Sequence, residues 1–463
     1  MTTSLLPPLR WTLICLGLSA CGHLFSPDKP KMALPSSFAA AKPSTVSGEE
    51  IDPAWWTLFN DPVLNQLQVQ LLQGHLNMQL LASKVRQAQA SLAGAQSSLW
   101  PSLSLNAGAG RTQEKGGSAG NQVTVNAPLA WEWDVWGRVG AQTAAAQANL
   151  QASQEDLALA RLSAQATLVQ TYFTWRTAER QSTVLSQAEQ AYAKALSLTR
   201  YRYEAGVVSA ADVAQAELQL ATTKAQRIDV DSTSLQLQNA LAVLLGMAPG
   251  ELKLTASDGW PSLPALPTLL PSSVLQRRPD IRAAEQRLLA AQAQLGVAQA
   301  AFFPSFTFSA NLGYRSTELA NIFSSSSLLW SLGPSMALNL LDGGQRQAAK
   351  ADARAALDGV GISYRQTVLQ ALQEVEDNLV LAYQLQLQAE AQGQALVAAQ
   401  RNLDITQAQY AAGTVSYLNV VTAQASALNA QRTLLDIQSR QVLASNQLMK
   451  NLAGRWPVQA LVQ

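Results

Sequence analysis

The chain is written twice. Tyr203-Glu204-Ala205-Gly206-Val207-Val208-Ser209-Ala210-Ala211-Asp212-Val213 returns 207 residues later as Tyr410-Ala411-Ala412-Gly413-Thr414-Val415-Ser416-Tyr417-Leu418-Asn419-Val420. Pro101-Ser102-Leu103-Ser104-Leu105 returns as Pro304-Ser305-Phe306-Thr307-Phe308, and Trp133-Asp134 through Arg138 as Leu341-Asp342 through Arg346, at offsets of 203 and 208. Three landmarks in one order define a tandem duplication, so a local pattern gains weight when both copies carry it. The division expected is a first repeat over 54–260 and a second over 261–463. Proline-rich sequence (Pro249, Pro261, Pro264, Pro267, Pro271) marks the connector between them.

Each copy holds an alternating segment. Leu103, Leu105 and Ala107 alternate with Ser102, Ser104 and Asn106, and Val123, Val125, Ala127 and Leu129 with Gln122, Thr124 and Asn126. Gly108 to Gly120 between them reads as a flexible glycine-rich loop. In the second copy Phe306, Phe308, Ala310 and Leu312 alternate with Ser305, Thr307, Ser309 and Asn311, and a return runs through Trp330 to Asn339. Hairpins are therefore expected at about 101–131 and 304–339. Their length suits either tilted membrane strands or a soluble hairpin on a core. Trp100, Trp131, Trp133, Trp136, Phe302 and Phe303 gather at the strand ends, where amphipathic rings favour a membrane–water interface, and so favour the barrel. About four strands cannot close a pore, since the smallest membrane barrels have about eight, so geometry asks for several copies.

The remainder reads as long helix. Arg138 to Arg200 contains no proline and only Gly140, enough for roughly 90 Å of helix if unbroken. Val421, Leu428, Leu435, Val442 and Met449 recur every seven residues beside Val420, Ala427, Leu434 and Leu448. Ala214, Ala221, Ile228, Leu235 and Ala242 stand at the matching places of the first copy. Sustained sevens mean coiled-coil packing, and a stripe two residues wide suits a helix with neighbours on both sides. Gly206 and Gly413 read as left-handed helix stops, with Ser209 and Ser416 as the caps of the next helix. The segments 203–212 and 410–419 are thus hairpin tips, fitted either to turn the chain or to present a docking surface.

At the amino terminus, Arg10 precedes an apolar run from Trp11 to Leu18, then Leu18-Ser19-Ala20-Cys21. This resembles a lipobox: residues 1–20 are expected to be a removed signal peptide, Cys21 the lipidated first residue, and 21–53 an extended arm. Gly22 in place of an inner-membrane retention aspartate points to the outer membrane. Cys15 and Cys21 are the two cysteines, so removal of one and lipidation of the other leave no thiol for a disulfide or metal. No later apolar run approaches the ~20 residues of a membrane helix.

Charged residues make up 14% of the chain, with 32 basic against 31 acidic, which gives no basic face for nucleic acid. The histidines, His23 and His75, lack metal-spaced partners, and no nucleophile elbow or phosphate-loop lysine is present. Gly116, Gly117 and Gly120 lack the strand and helix of a phosphate cradle. An enzyme is therefore disfavoured. A coiled-coil lipoprotein tether lacks a use for the tryptophan-rimmed hairpins, while a duct for protein secretion or metal export stays open.

With these features in hand, the chain resembles the TolC-like outer-membrane efflux factors, in particular the lipoprotein branch serving resistance-nodulation-division pumps. The resemblance rests on Ala54-Trp55-Trp56-Thr57-Leu58-Phe59-Asn60-Asp61-Pro62, Trp131-Glu132-Trp133-Asp134-Val135-Trp136-Gly137-Arg138, Arg278-Pro279-Asp280-Ile281-Arg282-Ala283-Ala284-Glu285 running to Phe302-Phe303-Pro304-Ser305, and both tips. It implies a mostly α fold with a membrane β-barrel portion: a homotrimer sharing one barrel above a helical periplasmic tunnel, without cofactor beyond the lipid on Cys21. It further implies an inner-membrane pump and a periplasmic adaptor as partners. The adaptor would dock on Gly206, Val207, Val208, Ser209, Gly413, Thr414, Val415 and Ser416. Some relatives narrow the entrance with acidic second-copy tips. Here that region has neutral Asn419 and Thr422, with Asp212 in the first copy, so the constriction is placed only by region.

Overall fold

A computed structural model of the chain describes residues 54–113, 119–255, 259–261, 263 and 278–452. Cys21, the arm 21–53, Gly116, Gly117 and the connector prolines 264, 267 and 271 lie outside the described residues.

A 3-10 turn at Trp55–Phe59 leads into α1 (Pro62–Gly74) and α2 (Leu76–Ser97). Strands β1 (Ser102–Leu103), β2 (Asn106–Thr112) and β3 (Gly120–Trp133) follow, then α3 (Arg138–Glu204) and α4 (Ala210–Leu244). The second copy runs α5 (Pro279–Ala300), β4 (Ser305–Ser316), β5 (Leu328–Ala337), α6 (Gln345–Ala411) and α7 (Tyr417–Leu452). The duplication is visible in α3 and α6, each 67 residues long. Among the described residues no helix is long and apolar enough to cross a membrane.

The chain forms two compact units, and each draws on both sequence copies. One, comprising Ala82–Asp156 and Asp280–Thr367, holds the sheet. In it Arg282 bonds Glu155 at 2.5 Å and Arg287 bonds Asp156 at 2.5 Å, so the Pro279-to-Glu285 motif fastens α5 to α3.

The second unit holds the aromatic core. Trp55, Phe59, Tyr172, Phe173 and Trp175 are buried together with Leu64, Leu71, Leu168 and Leu241. Asn60 takes a left-handed φ of 52° and Pro62 opens α1, so the chain turns sharply between them. Asp61 caps α1 by accepting from the Val63 and Leu64 amides at 3.0 and 3.1 Å. Its other oxygen accepts from Arg176 at 2.6 Å and Tyr172 at 2.8 Å, which joins the amino-terminal motif to α3. Where α1 meets the end of α4, glycine faces glycine. A Cβ on Gly74 would lie 1.9 Å from the Leu245 carbonyl oxygen, and one on Gly246 would lie 2.3 Å from the Gly74 oxygen.

Two expectations are corrected. Gly108 and Gly110 are not loop but part of β2, paired with Thr124 and Gln122. Glycine weakens a strand without forbidding it, and the ladder to β3 supplies the missing preference. The heptad positions of the two copies also differ in burial. Val421, Leu428, Val442 and Met449 are buried on α7, but on α4 Ile228 and Leu235 are 55% and 61% exposed and, of the expected stripe, Ala242 alone is buried. On α4 the inward stripe is Ala216, Thr223 and Val230, two residues out of phase with the predicted one. Both stripes have period seven, and only the packing of this chain selects between them.

Candidate functional site

Pro128 lies in the middle of β3 and has no N–H to give the ladder. Opposite it β1 and β2 are separated, yet Leu103↔Leu129 and Asn106↔Asn126 keep one register, so they are two pieces of a single interrupted strand. The sheet order is then β1/β2, β3, β4, β5, antiparallel throughout, with both outer strands unpaired on one side among the described residues.

Directly opposed residues share a face. Val125, Ala127, Leu129, Trp131 and Trp133 stand opposite Tyr314, Leu312, Ala310, Phe308 and Phe306, which stand opposite Leu328, Trp330, Leu332, Pro334 and Met336. This face is apolar and open: Leu103, Leu312, Trp330, Leu332 and Met336 are each more than half exposed. The other face carries Thr124, Asn126, Thr307, Ser309, Asn311 and Ser331, and Asn126 bonds Asn311 across it at 3.3 Å. On this face Gly313 is obligatory, since a Cβ there would lie 2.5 Å from the Val125 oxygen. Both faces of the sheet stand open within one chain, and an apolar face this bare calls for a cover other than water. That arrangement belongs to a barrel wall with lipid outside and a wet lumen inside.

Aromatic rings bound the apolar band. At one end, the Trp131 indole donates to the Leu99 oxygen at 3.0 Å, and the Trp136 indole to the Pro304 oxygen at 2.7 Å. Trp136 stacks on Phe303 at 4.7 Å, Arg346 and Lys350 lie over Phe302 at 5.6 and 5.7 Å, and Trp100 and Trp133 are exposed. At the other end are Tyr314, Phe323 and Trp330, with Tyr314 and Phe323 edge to face at 5.4 Å. The sequence reading missed this second rim because Phe323 lies outside the alternating segments. From Phe306 to Tyr314 the strand rises about 27 Å, close to a ~25 Å apolar band once tilted.

Below the strands each copy caps its long helix with the duplicated aspartate. Asp134 accepts from the Val139 and Gly140 amides at 3.0 and 2.7 Å, and Asp342 from Gly344 and Arg346 at 3.0 and 3.2 Å. The Arg346 guanidinium bond, joined by the Gly344 amide, holds the Asp342 carboxyl below its usual range.

At the tips, Gly206 and Gly413 adopt φ of 70° and 75°. Val207 donates to the Arg202 oxygen at 2.8 Å and Thr414 to the Gln409 oxygen at 3.0 Å, the six-to-one bond of a Schellman stop. Ser209 and Asp212 form a reciprocal capping box, whereas at the second tip Asn419 donates its amide to the Ser416 backbone oxygen at 3.2 Å. Gly206, Val207, Ser209, Gly413, Thr414, Ser416, Asn419 and Thr422 are exposed; Val208, Asp212 and Val415 are half-buried. Just behind them Leu196, Ala216, Tyr417, Val420 and Val421 pack together. Arg202 lies 4.8 Å from the centre of the Tyr410 ring, so the first-copy tip touches the second, and Arg200 pairs with Glu217 at 2.6 Å. Burial pushes the Tyr417 hydroxyl above its ordinary pKa.

A sheet that offers its apolar face outward between aromatic rims, carried on paired 67-residue helices, defines the wall of an outer-membrane channel. Residues 67–247 and 270–454 match the family described as outer membrane efflux protein, and the chain belongs to that family. It is 30% identical to the "Probable outer membrane lipoprotein SilC" of Salmonella typhimurium, over 93% of this chain and 94% of that protein. The solved outer-membrane channel OprN superposes with a TM-score of 0.87 at 28% identity, covering 93% of this chain and 100% of that one. The open state of the Neisseria gonorrhoeae MtrE outer membrane channel gives 0.84 at 27% identity, covering 92% and 97%. The protein is a TolC-like efflux factor of the outer membrane.

Proposed function

We propose that three copies close one barrel and one helical tunnel, forming the passive exit duct of a tripartite efflux system. The observation that carries this reading is the four-strand sheet with an exposed apolar face and two unpaired edges. Unpaired edges invite pairing with another chain, and three such sheets would supply twelve strands, an even number within the range of membrane barrels. The stripe of Ala214, Ala221, Ile228 and Leu235 on α4 supports the same assembly, since it repeats every seven residues and is exposed among the described residues. In this reading the cargo comes from an inner-membrane pump through a periplasmic adaptor that docks on the tips at Gly206 to Ser209 and Gly413 to Ser416. The entrance narrows around Asp212, Asn419 and Thr422, the lipid sits on Cys21, and the protein performs no chemistry of its own.

The test is the mass of the detergent-solubilised protein together with its conductance in planar bilayers. A trimer giving small or flickering steps, enlarged by substitution at Asn419, is the expected result. A non-conducting species that stays soluble without detergent would remove the barrel and leave a structural tether.

A further inference from the structure

The polar face of the sheet is almost free of charge. Along β1 to β5 the described residues pointing that way are Ser, Thr, Asn, Gln, Gly, Pro, Ala and Leu, with two exceptions: Glu132 and Arg315. Glu132 stands at the end of β3 that leads into α3, opposite Thr307, and is neutralised where it stands. Arg138 grips both of its oxygens, Nε to Oε1 at 2.8 Å and Nη2 to Oε2 at 2.5 Å. Arg315 stands eight residues away along the wall, opposite Thr124, exposed, and with no carboxylate in ion-pair contact among the described residues. Arg111, also near this end of the sheet, belongs to the opposite face, because it pairs with Asn121, which is three residues, an odd number, from Thr124. Glu318, beyond the strand end, accepts from Asn321 at 2.7 Å.

From this census we infer that Arg315 is a charge-selectivity residue of the outer mouth, favouring anionic over cationic solutes in passage. The inference rests on the duct reading, which makes the polar face the lumen and repeats Arg315 once per copy around it. A fixed charge in a channel with low-dielectric walls is poorly screened and raises the local concentration of counter-ions. Among the described strand residues, the surrounding wall of hydroxyls and amides offers no opposing charge at this level.

Thr124, directly across from Arg315, is the place to read it. In a Thr124→Cys variant in the membrane, the thiol would be labelled from the external side with anionic sulfonatoethyl and cationic trimethylammonioethyl methanethiosulfonate. Each rate would be normalised to that of a free thiol. External reagents reach this level without passing the tips, so the reading does not depend on their state. The anionic reagent is expected to be favoured. Arg315→Gln should lower the anionic-to-cationic ratio by roughly threefold or more, Arg315→Glu should invert it, and Arg315→Lys should keep it. A ratio indifferent to Arg315→Gln, with both reagents still reacting, overturns the inference and leaves the duct standing. A thiol that neither reagent reaches overturns the wet lumen itself, and with it both readings.

Discussion

Asp61 is the residue on which the helical unit's attachment of its amino-terminal segment can be tested most sharply. The carboxylate and its partner Arg176 lie 2.6 Å apart with side chains only 5% and 3% exposed. Asp61→Asn keeps an oxygen to accept from the Val63 and Leu64 amides, so the cap survives, but it withdraws the countercharge from a buried guanidinium. Breaking a buried pair from one side costs about 3–5 kcal/mol. Asp61→Ala loses the cap as well, a further ~1 kcal/mol. Tyr172→Phe removes one hydrogen bond to a charged group, about 1.5–3 kcal/mol. Replacing both charges, as in Asp61→Asn with Arg176→Met, should recover much of the loss, because a well-packed apolar side chain carries no desolvation penalty. The half-life of the folded, detergent-solubilised protein on heating is the assay, since unfolding of such a protein is governed by rate. At ~1.4 kcal/mol per tenfold, Asp61→Asn should shorten that half-life by two orders of magnitude or more. A half-life within tenfold of the parent, or Asp61→Ala no worse than Asp61→Asn, would refute the reasoning.

Gly246→Ala should destabilise by about 2–4 kcal/mol, because it combines a φ of 74° with a Cβ 2.3 Å from backbone, whereas Gly94→Ala, with open space around it, should stabilise by up to ~1 kcal/mol; the same heating assay ranks them. His75 ends α1 and its Nδ1 accepts from the Met78 amide at 3.3 Å, while burial lowers its pKa below the ordinary 6.5. The unfolded chain therefore takes the proton more readily, so this contribution is in place above pH 6.5 and is lost as pH falls through the depressed value. Comparing melting at pH 7.5 and 5 should show a loss that His75→Asn abolishes, and an equal loss in both proteins would sink the assignment. A Cβ at Gly413 meets no neighbour within 4 Å, so in Gly413→Glu the barrel should form normally, yet the φ of 75° and the proposed docking surface are both disturbed. Normal amounts of assembled protein with host efflux abolished is the expected outcome, and unchanged efflux would count against a docking tip.

Period was legible in the sequence, and most of the architecture follows from it. Alternation marked β3 and β4, the absence of proline marked α3, and Gly206 and Gly413 marked the tips, because each of these depends on a backbone preference that acts over a few residues. The duplication then showed which patterns to believe. Phase was not legible. Ala214-Ala221-Ile228-Leu235 and Ala216-Thr223-Val230 are both sevens on one helix, and only the neighbours decide which stripe is buried. Gly108 and Gly110 read as loop because glycine alone disfavours strand, while seven ladder pairs to β3 override it.

Long-range pairing was invisible for the same reason. Nothing local in Asp61 announces Arg176, 115 residues away, nor does Gly74 announce Gly246. The second aromatic rim and the lone charge of Arg315 likewise become features only when β3 and β4, drawn from different copies, lie side by side. The amino-acid sequence by itself determined the elements, their order and their repetition, through short-range sterics and periodicity. Which faces meet, which stay bare, and which charges stand alone was settled by tertiary structure, because burial and pairing depend on neighbours that lie far away along the chain.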